Sequence, residues 1–243
     1  MRVGLYVDGF NAYYGARAMC GHNKPGWRWL DLPRLAMDLV NPTRWPDAEL
    51  ARFAYCTAPR GRGRSRKSAD QENYIAALKH AYPGAVVPLG SYVARTKTGI
   101  LVNIDDPSSR VSPDAGPLPS WFPAHETRQN QGRLELLVSV SAFEEKGSDV
   151  NVAAHMLLDI LDDQIDAAIV ISNDSDLAFP LSAARQRIPV GTVNPTGSST
   201  PRALQGDASG GVGRHWWRRL AAPDFFAHQL PKPSGPHACP SDW

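Results

Sequence analysis

Four aspartates, far apart in the sequence, stand where a strand is predicted to end or a helix to begin. Asp8 closes the first apolar run of the chain, Asp149 opens an amphipathic helix, and Asp174 and Asp176 follow a second apolar run. In an open parallel sheet the carboxyl ends of the strands share one edge, and ligands bind there. The spacing therefore predicts that these four carboxylates converge on that edge.

Converging carboxylates repel one another, and a bound cation offsets that repulsion. Because the set contains oxygen ligands and no His or Cys, it favours Mg²⁺ or Mn²⁺ over zinc. Such an ion orients a water, lowers its pKa and stabilises charge that develops on a phosphate. The residues therefore predict a metal-dependent site that hydrolyses phosphodiester bonds, with Asp8, Asp149, Asp174 and Asp176 as metal ligands.

Polar residues accompany the acids, and each acid also has a purely structural interpretation. Asn11 lies one loop turn after Asp8, and Ser172 precedes Asp174 by two residues, so both are candidates for the same site. An aspartate at a helix start is often only an N-cap that accepts a hydrogen bond from a free backbone N–H. Capping alone would not bring all four acids to one edge. A further set is predicted to be a solvated helix end and turn: Asp159, Asp162, Asp163 and Asp166.

The elements that must position these residues alternate between strand and helix. Apolar runs at 3–8, 52–57, 86–94, 134–141, 167–172 and 189–194 predict strands, and helices are predicted between them. Such alternation is typical of βαβ units. The predicted fold class is therefore α/β, with a mostly parallel central sheet and helices on both faces.

Composition restricts the protein class without identifying a partner. The 243 residues carry a formal net charge of +2, and 42% are hydrophobic, as in an ordinary globular chain. The three cysteines have no zinc spacing and suit reduced thiols in a cytoplasm. No apolar run reaches the roughly 18 residues that span a bilayer. We therefore expect a cytoplasmic protein with no membrane partner.

Two segments depart from this α/β pattern. Residues 103–132 are rich in Pro, Ser, Asp and Gly, and we predict an inserted loop there rather than a domain. Residues 201–243 form a C-terminal extension, predicted to be partly irregular.

Five basic residues follow the second predicted strand, so they are expected to lie at the rim of the same edge. Arg and Lys there could neutralise phosphates on either side of a cleaved bond, although a solvated loop would have the same composition. These candidate substrate-binding residues are Arg60, Arg62, Arg64, Arg66 and Lys67.

Three short strings make the chain resemble the NYN domain family, which includes the LabA-like (DUF88) proteins and is similar to PIN-domain nucleases. The strings are Val-Asp-Gly-Phe-Asn at 7–11, Glu-Lys-Gly-Ser-Asp-Val at 145–150 and Ile-Ser-Asn-Asp-Ser-Asp at 171–176. The resemblance implies a PIN-like three-layer domain over residues 1–200 and a Mg²⁺-dependent ribonuclease. It implies catalytic roles for Asp8, Asn11, Asp149, Ser172, Asp174 and Asp176, while Lys146 could contact a phosphate. RNA, single-stranded or structured, is then the predicted partner, and a homodimer is compatible with the sequence.

Two other functions remain open from the residues. A non-catalytic module could bind RNA or a nucleotide on the same edge. A phosphatase could use Asp8 as its nucleophile, but position 10 is Phe rather than a second acid.

Overall fold

The computed structural model describes residues 1–59, 66–111, 120–128 and 134–243. The strands are β1 (Arg2–Asp8), β2 (Glu49–Cys56), β3 (Ala85–Val86), β4 (Ser91–Ile100), β5 (Ala124–Arg128), β6 (Leu134–Lys146), β7 (Ala167–Ile171), β8 (Val190–Asn194) and β9 (Trp216–Arg219). The helices are α1 (Gly9–Cys20), α2 (Leu32–Asp38), α3 (Arg66–Ala81), α4 (Ser148–Leu161), α5 (Ala178–Arg185), α6 (Arg202–Gln205) and α7 (Ala222–Ala227), with a 3₁₀ turn at Ser175–Leu177. Contacts divide the chain into a main unit, Met1–Ser91 with Glu145–Trp243, and a small unit, Tyr92–Glu144.

The main unit is built on a six-stranded sheet in the order β3-β2-β1-β7-β8-β9. Every neighbouring pair in it is parallel. From β1 the chain runs outward through β2 and β3 on one side, and later through β7, β8 and β9 on the other. The order therefore reverses between β1 and β7, which is the position where open α/β sheets bind ligands.

Two apolar cores cover the two faces of this sheet, because alternate residues of each strand point to opposite sides. Val3, Leu5 and Val7 of β1 pack into the first core, and Tyr6 packs into the second with Val152 and Met156 of α4. The predicted three-layer α/β architecture, with a parallel sheet between helices, is confirmed.

The small unit contains a three-stranded sheet in the order β4-β6-β5, and β5 pairs with β6 in antiparallel register. The sequence placed a strand at 134–141 in the main sheet, and this was wrong. The segment forms β6, whose partners are the two strands of the small unit. The predicted insertion at 103–132 begins after β4 and includes β5.

The segment after residue 200 adds β9 to the edge of the main sheet. Trp216 of β9 packs on the buried Trp45 with ring centroids 5.5 Å apart, and the Trp45 indole N–H donates to the Arg214 carbonyl. All three cysteines are free thiols. Among the described residues, no helix combines the length and apolar character needed to cross a membrane, and the cytoplasmic location stays a prediction.

Candidate active site at the end of the first strand

Asp8 is the last residue of β1 and also the N-cap of α1, so its carboxylate stands where the strand order of the sheet reverses. One carboxylate oxygen, Oδ1, accepts the backbone N–H of Asn11 at 3.0 Å. The other, Oδ2, accepts the Ser172 hydroxyl at 3.1 Å. Asp8 is only 5% exposed, so these two bonds fix a buried carboxylate between β1 and β7.

Ser172 lies directly after β7 and is 1% exposed. Its hydroxyl donates to Asp8 and accepts the backbone N–H of Asp174 at 3.1 Å. With its proton directed at Asp8, the hydroxyl has one defined orientation. The predicted companion role of Ser172 is therefore matched by a direct contact with the first acid.

Burial raises the pKa of Asp8 from its usual 3.8 to about 6. The hydrogen bonds from Asn11 and Ser172 favour the ionised form, while the nearby negative charges of Asp174 and Glu145 disfavour it. An acid with a pKa near 6 exists in both protonation states close to neutral pH. Asp8 therefore has the acidity of a group that can accept and return a proton.

Asn11 connects α1 to the loop after β7. Its side-chain oxygen accepts the backbone N–H of Asn173 at 2.9 Å. The Asn173 amide in turn donates to the hydroxyls of Thr196 and Ser198, in the loop after β8. Three segments at the carboxyl edge are thus joined by hydrogen bonds beside Asp8.

The other three predicted acids are less buried than Asp8. Asp174 is half-buried, caps the 3₁₀ turn through the Asp176 N–H at 3.0 Å, and contributes to the raised pKa of Asp8. Asp176 is exposed. Asp149 is half-buried in the first turn of α4. The capping interpretation therefore holds for Asp8 and Asp174, and Asp8 combines it with a position in the site.

Glu145 belongs to the site although sequence reasoning gave it no defined role. Its Oε1 accepts both the hydroxyl and the backbone N–H of Ser148, at 2.8 and 3.2 Å. This arrangement holds the carboxylate at the start of α4, from where its charge raises the pKa of Asp8. The signal available in the sequence was the Glu-x-x-Ser spacing just before a helix, which is suited to local capping.

In the described part of the chain, no group of three or more His, Cys, Asp or Glu side chains is arranged to hold a metal ion. The four aspartates therefore do not form the compact ligand set that their order suggested. Mg²⁺ or Mn²⁺ binding stays a prediction.

For five of the six predicted substrate-binding residues, the structure does not describe the side chain. Arg60, Arg62 and Arg64 lie outside the described residues, and Arg66 and Lys67 are described only as the backbone that begins α3. Lys146 is the last residue of β6 and is exposed. Phosphate contacts by these residues remain predictions.

The sequence predicted that Asp159 is solvated, and this was wrong, because the residue is only 7% exposed. It accepts the Tyr6 hydroxyl at 2.8 Å and forms an ion pair with Arg52 at 3.1 Å. The reason is its spacing on α4: Asp159 follows Val152 by seven residues and Met156 by three, so it lies on the face that packs against the sheet. Asp166 also has a partner, since its carboxylate pairs with Arg2 at 2.7 Å.

A cleft opens beside the site, on the α1 side of the sheet. The space in it that a water-sized sphere can occupy is about 40 Å³. Gly9, next to Asp8, lines it together with Ala12, Tyr13 and Ala16 of α1. Gly9 also permits close packing of Tyr55, because a Cβ there would lie 2.8 Å from the Tyr55 Cζ.

Replacing Ser172 by alanine is expected to raise the pKa of Asp8 further above its value of about 6. The variant removes a hydrogen bond that stabilises the ionised carboxylate. The pKa can be read from the side-chain carboxyl carbon of Asp8 in an NMR titration. Ser175→Ala, at an exposed position of the 3₁₀ turn, is the matched control. An unchanged or lower pKa in Ser172→Ala would contradict the assigned contact.

Comparison with known proteins gives one curated relative from Pseudomonas putida (strain DSM 28022 / S16), the 6-hydroxy-3-succinoylpyridine 3-monooxygenase HspA. The two are 28% identical over 249 aligned residues, which cover 96% of this chain and 71% of the relative. No protein-family model matches the chain. No solved structure matches it either.

These findings overturn the predicted family and the predicted chemistry. No NYN model matches, and the relative is a monooxygenase rather than a nuclease. The predicted function as a ribonuclease was therefore wrong, and so was the alternative that the protein is a non-catalytic binding module. The physical reason is that two of the three strings, at 7–11 and 171–176, encode the ends of parallel strands, with the cap at Asp8 and the turn at Asp174. A position in a fold does not specify a reaction. At the coarser level the comparison supports an enzyme, as the sequence predicted. RNA as a partner and the homodimer remain untested predictions.

Proposed function

We propose that this protein is an oxidoreductase that oxygenates a hydroxylated nitrogen-containing aromatic ring. The observation that carries the proposal is the similarity to a monooxygenase of 6-hydroxy-3-succinoylpyridine along 96% of the chain. In this chain the ends of β1 and β7 are neighbours, and they place there a buried carboxylate, Asp8, with a pKa of about 6.

Asp8 supplies the step that such a ring requires from the protein. Removal of the proton from a ring hydroxyl pushes electron density to the carbon para to it. In a 6-hydroxypyridine that carbon is carbon 3, the position named in the relative's reaction. We assign Asp8 as the general base that accepts this proton, because its raised pKa suits transfer near neutral pH.

Ser172 and Asn11 act on Asp8 rather than on the substrate. The Ser172 hydroxyl and the Asn11 N–H occupy one side of each carboxylate oxygen. They hold the carboxylate in one orientation, so its remaining lone pairs are available to the proton of the ring hydroxyl.

The overall reaction needs an external electron donor. One oxygen atom of O₂ forms the new bond to carbon 3, and the other becomes water. Because carbon 3 of the relative's named substrate carries the succinoyl group, the carbon–carbon bond to that group breaks, and the acyl group is transferred to water and leaves as succinate. A reduced nicotinamide supplies the two electrons of this reduction. The β1–α1 turn does not fit a dinucleotide as a Rossmann turn does, because the Asp8 carboxylate bonds to the Asn11 N–H at the helix start and would repel a pyrophosphate there. No step is therefore assigned to a bound dinucleotide at this turn.

The test is an oxygen-uptake assay with 6-hydroxy-3-succinoylpyridine, reduced nicotinamide and the purified chain, with products identified by mass spectrometry. Parallel samples contain added flavin, Mg²⁺, Mn²⁺ or EDTA, so that a missing redox or metal component is supplied. We expect substrate-dependent oxygen uptake and a product containing one oxygen atom from ¹⁸O₂. Failure to oxygenate this substrate or simpler hydroxypyridines in every sample, with the protein folded, would reject the proposal.

A further inference from the structure

Asn173 lies between the two groups that hold the Asp8 carboxylate. It directly follows Ser172, whose hydroxyl donates to one carboxylate oxygen at 3.1 Å. The backbone N–H of Asn173 donates to the side-chain oxygen of Asn11 at 2.9 Å, and the Asn11 N–H donates to the other carboxylate oxygen at 3.0 Å. Both hydrogen bonds to Asp8 are therefore connected to the backbone at Asn173, one through the preceding residue and the other through Asn11.

The side-chain amide of Asn173 holds this backbone against the loop after β8. Its Nδ2 group donates to Thr196 Oγ1 at 3.2 Å, to Ser198 Oγ at 3.1 Å and to the Ser199 carbonyl oxygen at 3.4 Å. Its side-chain oxygen is buried and accepts no hydrogen bond from the residues that the structure describes. A buried acceptor without a donor does not stabilise the fold. The orientation of the amide is therefore set by its acceptors in the loop.

The loop that carries these acceptors is organised by Asn194, the last residue of β8, which is fully buried. The Asn194 side-chain oxygen accepts both the N–H and the hydroxyl of Thr196 at 2.8 Å. Its amide donates to the Ser198 carbonyl oxygen at 3.0 Å and to the Thr200 hydroxyl at 2.9 Å. Because its donors and its acceptor are all used in the same loop, Asn194 fixes that loop on the end of the central sheet.

We propose that Asn173 is a positioning residue for the general base, because it transmits the fixed geometry of the loop after β8 to the Asp8 carboxylate. The role of Asp8 as the base rests on the proposed function, whereas the chain of hydrogen bonds does not. Without the bonds from its amide to the loop, the peptide group between Ser172 and Asn173 is free to rotate. The Ser172 hydroxyl and the Asn11 side chain then lose their fixed directions. The carboxylate consequently samples orientations that are unproductive for proton transfer.

Asn173→Ala removes the amide donors and keeps the backbone N–H that Asn11 accepts. We expect kcat for the proposed oxygenation to fall by about tenfold or more, because a misplacement of about 1 Å can cost about 10²-fold in rate. KM should stay close to the wild-type value, since Asn173 is assigned no contact with the substrate. The melting temperature should change little, because the substitution also removes the unpaired buried oxygen.

A second measurement does not depend on turnover. In a ¹H–¹⁵N NMR spectrum, the proton shift of the Asn11 backbone amide reports the strength of its bond to Asp8. In Asn173→Ala this resonance should move upfield, and the amide should exchange faster with solvent. The amide of Ala18, at an exposed position of the same helix, should keep its wild-type shift.

Ser198→Ala tests the contact from the loop side, at an exposed position. It removes one acceptor of the Asn173 amide, so it should move the Asn11 resonance in the same direction by a smaller amount. Combined with Asn173→Ala it should lower kcat little further, because both substitutions remove the same contact. Asn103→Ala, at an exposed position of the small unit, makes the same chemical change as Asn173→Ala and should behave as wild type.

The two measurements separate this inference from the proposed function. A shifted Asn11 amide in a chain that never oxygenates the ring supports the coupling from Asn173 to Asp8 and rejects the proposed function. An Asn11 amide that is unchanged in both Asn173→Ala and Ser198→Ala overturns the inference, whether or not the wild-type chain is active. In an active chain, wild-type kcat in Asn173→Ala, or a raised KM at unchanged kcat, also overturns the positioning role.

Discussion

Asp8→Asn is expected to lower kcat for the proposed ring oxygenation by about 10²-fold or more, the range for loss of a positioned general base. Asparagine keeps a side-chain oxygen that can accept the Asn11 N–H, so the helix cap survives. The measurement is steady-state oxygen uptake at saturating substrate. Asp105→Asn, at an exposed position, is the control with the same chemical change. A variant that turns over at the wild-type rate would remove Asp8 from the mechanism.

The same variant is expected to be more stable than wild type above pH 6. The folded-state pKa of Asp8 is raised from 3.8 to about 6, so the stabilising contribution of the buried neutral acid is present below pH 4 and is lost as the pH rises through about 6. A rise of this size corresponds to at most about 3 kcal/mol. Denaturant unfolding should show Asp8→Asn gaining stability over wild type between pH 4 and 7. Equal destabilisation at pH 4 and pH 8 would contradict the raised pKa.

The fall of kcat/KM at low pH is expected to follow the protonation of Asp8. A base with a pKa of about 6 must be ionised to accept a proton, so kcat/KM should fall as the pH drops below 6. Because Ser172→Ala removes a bond that favours ionisation, it should move this limb to higher pH. A limb that stays in place in this variant would indicate a different titrating group.

Gly15→Ala is expected to reduce the free energy of unfolding by about 1–3 kcal/mol, the typical cost of overpacking. A Cβ at this position of α1 would overlap the Pro195 carbonyl oxygen and lie 2.8 Å from its carbonyl carbon. Since both partners are backbone, α1 and the loop after β8 would have to separate. Helix propensity alone predicts the opposite sign, because alanine stabilises a helix interior relative to glycine by up to about 1 kcal/mol.

The matched control is Gly197→Ala in the same loop, where a Cβ would make an ordinary 3.6 Å contact with the Met19 side chain. This variant should change stability by much less than Gly15→Ala. Urea unfolding of the three proteins compares them directly. Because α1 carries Asn11 and the loop carries Thr196, both joined through Asn173, Gly15→Ala should also lower kcat. A Gly15→Ala chain more stable than wild type would contradict the close contact of α1 with the loop.

Much of the fold was predictable from local patterns. Apolar runs predicted β1, β2, β7 and β8, and the Asp8-Gly9 sequence at the end of the first run predicted a strand that ends at a turn. These features depend on periodicity and on capping, which act over a few residues. The sequence failed where pairing is long-range. The segment 134–141 has the residues of a strand, but it lies outside the main sheet because it pairs with β5 in antiparallel register. Its sequence alone does not specify that partner.

The sequence by itself determined that an aspartate closes the first strand and that a Ser-x-Asp segment follows a later one, because these are properties of order along the chain. Only the tertiary structure decided that β1 and β7 are neighbours, which places Ser172 on Asp8 and buries the pair. It also decided the pKa of Asp8, since desolvation and the charges of Asp174 and Glu145 come from residues more than a hundred positions away. The small cavity beside Gly9 likewise exists only because α1, β2, α3 and the segment 27–32 pack around it. Burial and electrostatic coupling depend on distances in space, and a linear sequence does not contain those distances until the chain has folded.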